Sequence, residues 1–405
     1  MLRTNRFVGG ILLVSGTSIG AGMLALPVIS SFAGFLPSFA LLAICWLFLF
    51  TTSLLLLDVN LACPGEVNLI SMAGRTLGVG GKALCWVTYL LLLYSLTAAY
   101  IAGSSPLFLQ ALEWATGWAA PTWLGPFPLL ILFGLFVYLG TQAVDWVNRL
   151  LMIGLILSYA LLVAFLPPHI QFPLLQHTDL NAIWVAVPVV ITSYGFHIII
   201  PTLTTYLNHD AKKLRLTLLI GSLIPFLVYA LWEFLILGVV PLEGEHGLVD
   251  AWLNGKTGAA SLSYILQNHW IGAAASIFSF FAIITSFLGV SLSLSDFLTD
   301  GLHMKRFSLG RELACLLTFG PPLLFVLTYQ RGFIVALQFA GIFVAILLCI
   351  LPAIMAWKLP SYRSLLKRSL LSVVILLSLF VIGLDILEEA GFLKNLISNY
   401  VQIKS

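Results

Sequence analysis

Apolar residues run along this chain in long blocks, separated by short clusters of charge, glycine and proline. Eleven such blocks fall near 7–35, 38–62, 84–112, 127–143, 149–167, 181–206, 216–240, 270–298, 312–329, 331–357 and 369–391. A helix needs about 20 apolar residues to cross the hydrocarbon core of a bilayer, and most of these blocks meet that length. A membrane β-strand would instead alternate with period two over about ten residues; the stretch 150–166 is apolar without alternation. The pattern predicts an all-α integral membrane protein with eleven spans. The division at 329–331 is the narrowest. Arg3 and Arg6 precede the first block in the manner of a secretory leader, but the block runs past Leu26 with no small-residue cleavage site, so it is expected to be retained as a span.

Composition agrees. Of 405 residues, 60% are hydrophobic and 9% charged, with a mean hydropathy of +1.06; soluble domains carry roughly 25% charge. With the N-terminus placed inside, only Lys256, Arg331, Lys394 and Lys404 of the 19 basic residues fall in outer segments. This asymmetry predicts a cytoplasmic N-terminus and an outside C-terminus. No connecting segment is long enough for an ATPase or receptor domain, so any transport must draw on an existing gradient. The longest outer loop, 241–269, carries Glu243, Glu245, His246 and Asp250. Cys45, Cys63, Cys85, Cys315 and Cys349 lie within or at the edges of apolar blocks without metal-ligand spacing, so neither a disulfide framework, a metal site nor any other cofactor is expected.

The first block contains Gly16-Thr17-Ser18-Ile19-Gly20-Ala21-Gly22 with Pro27 beyond it; the sixth contains Val190-Ile191-Thr192-Ser193-Tyr194-Gly195-Phe196 with Pro201 beyond it. Thr-Ser-x-Gly thus recurs 175 residues later, five spans on. Five is odd, so the second copy crosses in the opposite sense, as in an inverted repeat. The halves would be 1–167 and 181–357, with 369–391 an additional helix. Glycine and proline weaken a helix at these places. Unwound backbone at membrane depth is tolerated only where protein or a polar cavity satisfies it. Freed N–H groups favour a carboxylate and freed C=O groups an ammonium, so two breaks meeting at mid-membrane would receive a zwitterion. Close packing through small residues is the alternative.

At these residues the chain resembles the hydroxy/aromatic amino acid permease family of the amino acid–polyamine–cation superfamily. The likeness rests on residues 16–27 and on Pro188-Val189-Val190-Ile191-Thr192-Ser193-Tyr194-Gly195-Phe196-His197. Thr285-Ser286-Phe287-Leu288-Gly289-Val290, Arg331-Gly332-Phe333 and the run 54–57 followed by Asp58 add to it. Within the family it is most similar to the bacterial tyrosine-specific permeases. The resemblance implies a five-plus-five inverted-repeat transporter fold, a bacterial inner-membrane location and import of an aromatic amino acid, tyrosine foremost, with a proton. Sodium coupling and a preference for tryptophan are its alternatives. Glu233 departs from that likeness, standing where the resemblance to the tyrosine permeases implies a neutral amide.

Candidate substrate contacts are Thr17, Ser18, Gly20, Ala21 and Gly22 on the first break, Thr192, Ser193, Tyr194, Gly195, Phe196 and His197 on the second, Tyr94 and Thr97 on span 3, and Ser286 on span 8. Ala282, Ser286, Gly289, Ser293 and Asp296 recur at helical steps and form a small, polar stripe. Ionisable groups inside hydrocarbon point to function by default, which makes His197, Glu233 and Asp58 the candidates for carrying a proton, with Asp58 alternatively pairing Arg75 or another inner base. Asp296 and Asp300 form a DxxxD that would suit Mg²⁺ and a diphosphate in a membrane-embedded prenyltransferase-type enzyme, but the second acidic motif is missing. Gly20-Ala21-Gly22 lacks the strand and lysine of a nucleotide loop, and no filter or ring of charge marks a channel. The partners expected are the small-molecule substrate and the bilayer, with no nucleic acid. Nothing in the sequence bears on oligomeric state.

Overall fold

The structure is a computed structural model that describes residues 6–65, 67–266, 268–304, 309–329, 332–391, 396–397 and 400. Of the basic residues counted above, Arg3, Lys305, Arg306, Arg331, Lys394 and Lys404 lie outside the described residues. Helices follow one another as α1 (Arg6–Ser18), α2 (Gly22–Ser30), α3 (Phe35–Ala62), α4 (Leu69–Thr116), α5 (Pro126–Leu132), α6 (Gly134–Leu139), α7 (Thr141–Phe165), α8 (Phe172–Leu175) and α9 (Val187–Ser193). They continue as α10 (Ile200–Tyr206), α11 (Ala211–Val239), α12 (Leu248–Leu253), α13 (Gly258–Leu266), α14 (His269–Gly301), α15 (Gly310–Thr328), α16 (Gly332–Val344), α17 (Leu351–Trp357) and α18 (Leu365–Glu389). Ten helical stretches are long and apolar enough to cross a membrane, and the bent pair α1–α2 makes eleven. The expected all-α, eleven-span architecture is therefore present among the described residues.

Local chemistry sets several boundaries. Asn68 caps α4 through a reciprocal pair with Ser71, and Asp210 caps α11 by accepting from the Lys213 amide. The Lys213 side chain, with the Lys213 and Lys212 amides, holds the Asp210 carboxyl below its ordinary range. Pro201 in the first turn of α10 lacks an amide that a helix start leaves unpaired anyway. Pro352 in the first turn of α17 follows a π-helical turn, Ala345–Ile350, in which span 10 continues with a wider winding.

One element differs from the expected pattern. The segment before span 3, expected as a loop, is helical from Leu69, and α4 runs 48 residues with non-helical torsions at Gly78 (φ 76°, ψ −162°). Gly78 therefore separates a short leading helix from the span proper.

Lipid tails offer no hydrophobic drive between helices, so packing decides which spans are central. In its most apolar window, span 6 is 72% buried and α15 only 22%. Span 6 stands at the centre: α9 packs on α2, α3 and α16, while α1 and α2 pack on α11. Among the largest fully buried side chains, Met23, Leu24, Tyr194, Phe196, Tyr229 and Trp232 gather around spans 1, 6 and 7. Trp114, Trp146 and Trp270 project outward at span ends, as interfacial anchors do.

Candidate functional site

Both expected breaks are present. Span 1 stops at Ser18, bends by 53° and restarts at Gly22. Span 6 stops at Ser193, passes through residues 194–196 and a single 3₁₀ turn (His197–Ile199), and restarts at Ile200. The two breaks touch. A Cβ placed on Gly22 would sit 3.1 Å from Ser193 Oγ and 3.6 Å from Ser193 Cα, so the first residue of α2 abuts the last of α9.

Two tyrosines and a serine from neighbouring spans close the junction. The Tyr229 hydroxyl on span 7 lies 2.5 Å from the Ser18 carbonyl and 2.9 Å from the Ser193 carbonyl, donating its one proton between them. Thus the carbonyl ends of both first half-helices share one phenol. On span 8, Ser286 Oγ accepts from the Ala21 amide at 3.0 Å, and Tyr100 of span 3 reaches the same serine. A Cβ on Gly20 would come within 2.4 Å of Ser286 Oγ, so only glycine permits this approach. Gly20→Ala is expected to push Ser286 off the Ala21 amide at a cost of about 1–3 kcal/mol, read as a lower unfolding midpoint of the purified protein. An unchanged midpoint would mean that Ser286 does not hold the break.

The polar groups here are incompletely satisfied. Ser18 Oγ and the Tyr194 hydroxyl are buried, with no hydrogen-bond partner among the described residues. Buried hydroxyls are normally paired; Thr217 and Ser291 share this unpartnered state elsewhere in the bundle, but only at the junction do two such hydroxyls flank the paired breaks. The Tyr194 ring lies 5.3 Å from that of Tyr229. Phe196 is fully buried beside them in sequence.

Other expected contacts point elsewhere. Thr17 is exposed, its hydroxyl donating to the Leu13 carbonyl of its own helix. Thr192 donates to Pro188 and Leu337 carbonyls, tying α9 to span 10, and Ser193 donates to Val189. Thr97 turns back to Leu93. Tyr94 donates to the Leu317 carbonyl of α15 at 2.9 Å, so its hydroxyl is directed at α15 and not at the junction.

The three ionisable candidates occupy three different settings. Glu233 is fully buried one helical turn beyond Tyr229; its carboxyl oxygens lie 2.8 and 2.7 Å from Ser30 Oγ at the end of α2. That serine also donates to the Leu26 carbonyl at 2.7 Å. His197 is fully buried, with Nε2 2.8 Å from Thr52 Oγ1 on α3 and Nδ1 unpartnered. Asp58 meets Arg215 at 2.8 Å and accepts from the Tyr362 hydroxyl at 2.7 Å; Arg75 instead donates to the Pro64 carbonyl. Of the two readings offered for Asp58, its geometry matches the pairing one, with Arg215 as the base.

A cavity of about 1000 Å³ opens at the end of the bundle rich in lysine and arginine, lined among others by Arg75, Lys82, Ser293, Asp296, Asp300 and Ile198. Ile198 is three residues past Gly195, so the cavity reaches the restart of span 6. The DxxxD pair and Ser293 of the span 8 stripe form part of its wall.

Sequence reasoning passed over Tyr229, Tyr100 and Ser30. The usable signal was the i, i+4 spacing of Tyr229 and Glu233, which puts both on one face of span 7.

Paired broken helices in an eleven-span bundle define a membrane transporter. The chain belongs to the tryptophan/tyrosine permease family, whose model matches residues 3–384. It is 33% identical to "Tyrosine-specific transport system 1" of Haemophilus influenzae, over 96% of this chain and 98% of that protein. It is 31% identical to the "Tryptophan-specific transport protein" of Pseudomonas aeruginosa, over 87% and 86% respectively. A solved manganese transporter of Eremococcus coleocola shares the fold at a TM-score of 0.61 and 13% identity, covering 98% of this chain and 93% of its own. The chain is accordingly an aromatic amino acid permease embedded in a membrane, and not an enzyme.

Proposed function

We propose that this permease imports tyrosine across a bacterial inner membrane by proton symport, gripping the amino acid where spans 1 and 6 come apart. The observation that carries this reading is the contact of the two breaks beside two buried, unpartnered hydroxyls, Ser18 and Tyr194. The amide end of α2 suits a carboxylate and the carbonyl end of α9 an ammonium. Bound tyrosine would give Ser18 and Tyr194 the hydrogen bonds they lack. Phe196 and Tyr194 supply aromatic walls. The tyrosine-specific relative and its near-complete coverage of this chain favour tyrosine over tryptophan.

Glu233 is the group proposed to carry the proton. Ser30 has one hydrogen and two claimants, the Leu26 carbonyl and the Glu233 carboxylate. A protonated Glu233 donates to Ser30 and leaves the serine's own hydrogen on Leu26; an ionised one pulls that hydrogen away. Proton loading is thereby linked to the last turn of α2, the second half of the broken span 1. The proposed halves, 1–167 and 181–357, would rock about the junction, with the N-terminus cytoplasmic and the C-terminus periplasmic.

In proteoliposomes with an inward proton gradient and no sodium, labelled tyrosine is expected to accumulate above equilibrium, and unlabelled tyrosine to compete better than tryptophan or phenylalanine. Uptake that requires sodium and ignores pH would replace the proton in this scheme. Stronger competition by tryptophan would change the substrate. Mere equilibration would overturn the symport reading.

A further inference from the structure

A second cluster of acids stands apart from the junction, between spans 10 and 11. Asp385 and Glu388 lie one turn apart on α18, close to its end. They face a cleft of about 370 Å³ whose other walls are Val335, Phe339 and Ile342 of α16, with Ile386 and Ala390 on the α18 side. Gln338 of α16 donates to Glu388 Oε1 across it. Asp385 is only 5% exposed, and its Oδ2 atom is buried with no hydrogen-bond partner among the described residues. None of these residues belongs to the broken-helix junction.

A carboxyl group in such a place is costly unless something meets it. The cleft says what kind of ligand would. Among the described residues its polar groups are two carboxyls and one amide, placed near the end of α18, and the other lining residues are aliphatic or aromatic. The flank is open to the bundle surface, where Ile386 is 58% exposed. The matching molecule carries a hydrogen-bonding cation at one end and hydrocarbon at the other. A free amino acid fits poorly, since it has no hydrocarbon chain to lie along Val335, Phe339 and Ile342.

We propose that this cleft is a lipid site, holding the primary ammonium of an aminophospholipid against Asp385 and Glu388 and its acyl chain along Val335, Phe339 and Ile342. A primary ammonium offers three donors to two carboxyls, and such charge-assisted bonds are the stronger kind. A quaternary ammonium of equal charge offers none. The site therefore discriminates head groups by donors rather than charge.

The test measures lipid retention on the purified full-length protein by native mass spectrometry, which is independent of transport and of the uptake reading above. Phosphatidylethanolamine and phosphatidylcholine with identical acyl chains are offered in equal amounts. The wild type is expected to retain phosphatidylethanolamine about tenfold better, the equivalent of one lost charge-assisted hydrogen bond. Asp385→Asn should bring the ratio close to one. Ile342→Trp, which fills the cleft without touching an acid, should reduce retention of both lipids and serves if the asparagine variant does not fold. Equal retention by the wild type, an undiminished preference in Asp385→Asn, or undiminished retention in Ile342→Trp would each overturn the proposal.

Discussion

Glu233→Gln is expected to abolish pH-driven accumulation of tyrosine while sparing counterflow. At one proton per substrate, a one-unit pH gradient is worth about 1.4 kcal/mol and supports about tenfold accumulation; the variant should fall to equilibrium. The reason lies in the single hydrogen of Ser30, whose oxygen is 2.7 Å from the Leu26 carbonyl and 2.7–2.8 Å from both carboxyl oxygens. Glutamine donates permanently, so Ser30 keeps its bond to Leu26 at every pH and α2 no longer senses the proton. Exchange of labelled for unlabelled substrate needs no net proton movement and continues. Loss of counterflow as well would make Glu233 a structural acid. Retained accumulation would move the proton elsewhere, with His197, buried against Thr52, the next group to test.

The second large effect is expected from Tyr229→Phe. The ring can stay against Tyr194, 5.3 Å away, so packing is preserved and only the phenol proton is lost. That proton serves the carbonyls of Ser18 and Ser193 together. Leaving a buried acceptor unmet costs about 1–3 kcal/mol, and here the cost falls where the two breaks join. A lower unfolding midpoint and a KM for tyrosine raised about tenfold are expected, the latter corresponding to about 1.4 kcal/mol. An unchanged KM in a folded variant would show that Tyr229 braces the bundle without shaping the grip.

Much of this was readable from the residues because the bilayer imposes a narrow rule. A span must be long and apolar, so blocks such as 216–240 and 369–391 reappear as α11 and α18 with only their ends adjusted. Leu69–Gly78 escaped because Arg75 and the glycines at 74, 78, 80 and 81 interrupt the apolar run, and a helix too short to cross the bilayer does not need that run. The breaks were legible from glycine, hydroxyl residues and proline. What the spacing did not convey was rotation of one helix against its neighbours. Thr17 belongs to the motif yet faces outward, Tyr94 turns to α15, and Asp58 pairs with an arginine 157 positions away. Such directions follow from packing between spans, to which periodicity within a span is blind.

Gly78 is the joint between the two parts of α4. A Cβ there would touch nothing within 4 Å, yet its φ of 76° disfavours any side chain. The segment Leu69–Leu77 forms one wall of the large cavity at the basic end, and it joins span 3 through a single torsional pivot. The pivot itself is unencumbered, but Met72 and Ala73 on the segment are fully buried, so any swing of that wall has to repack the bundle behind it.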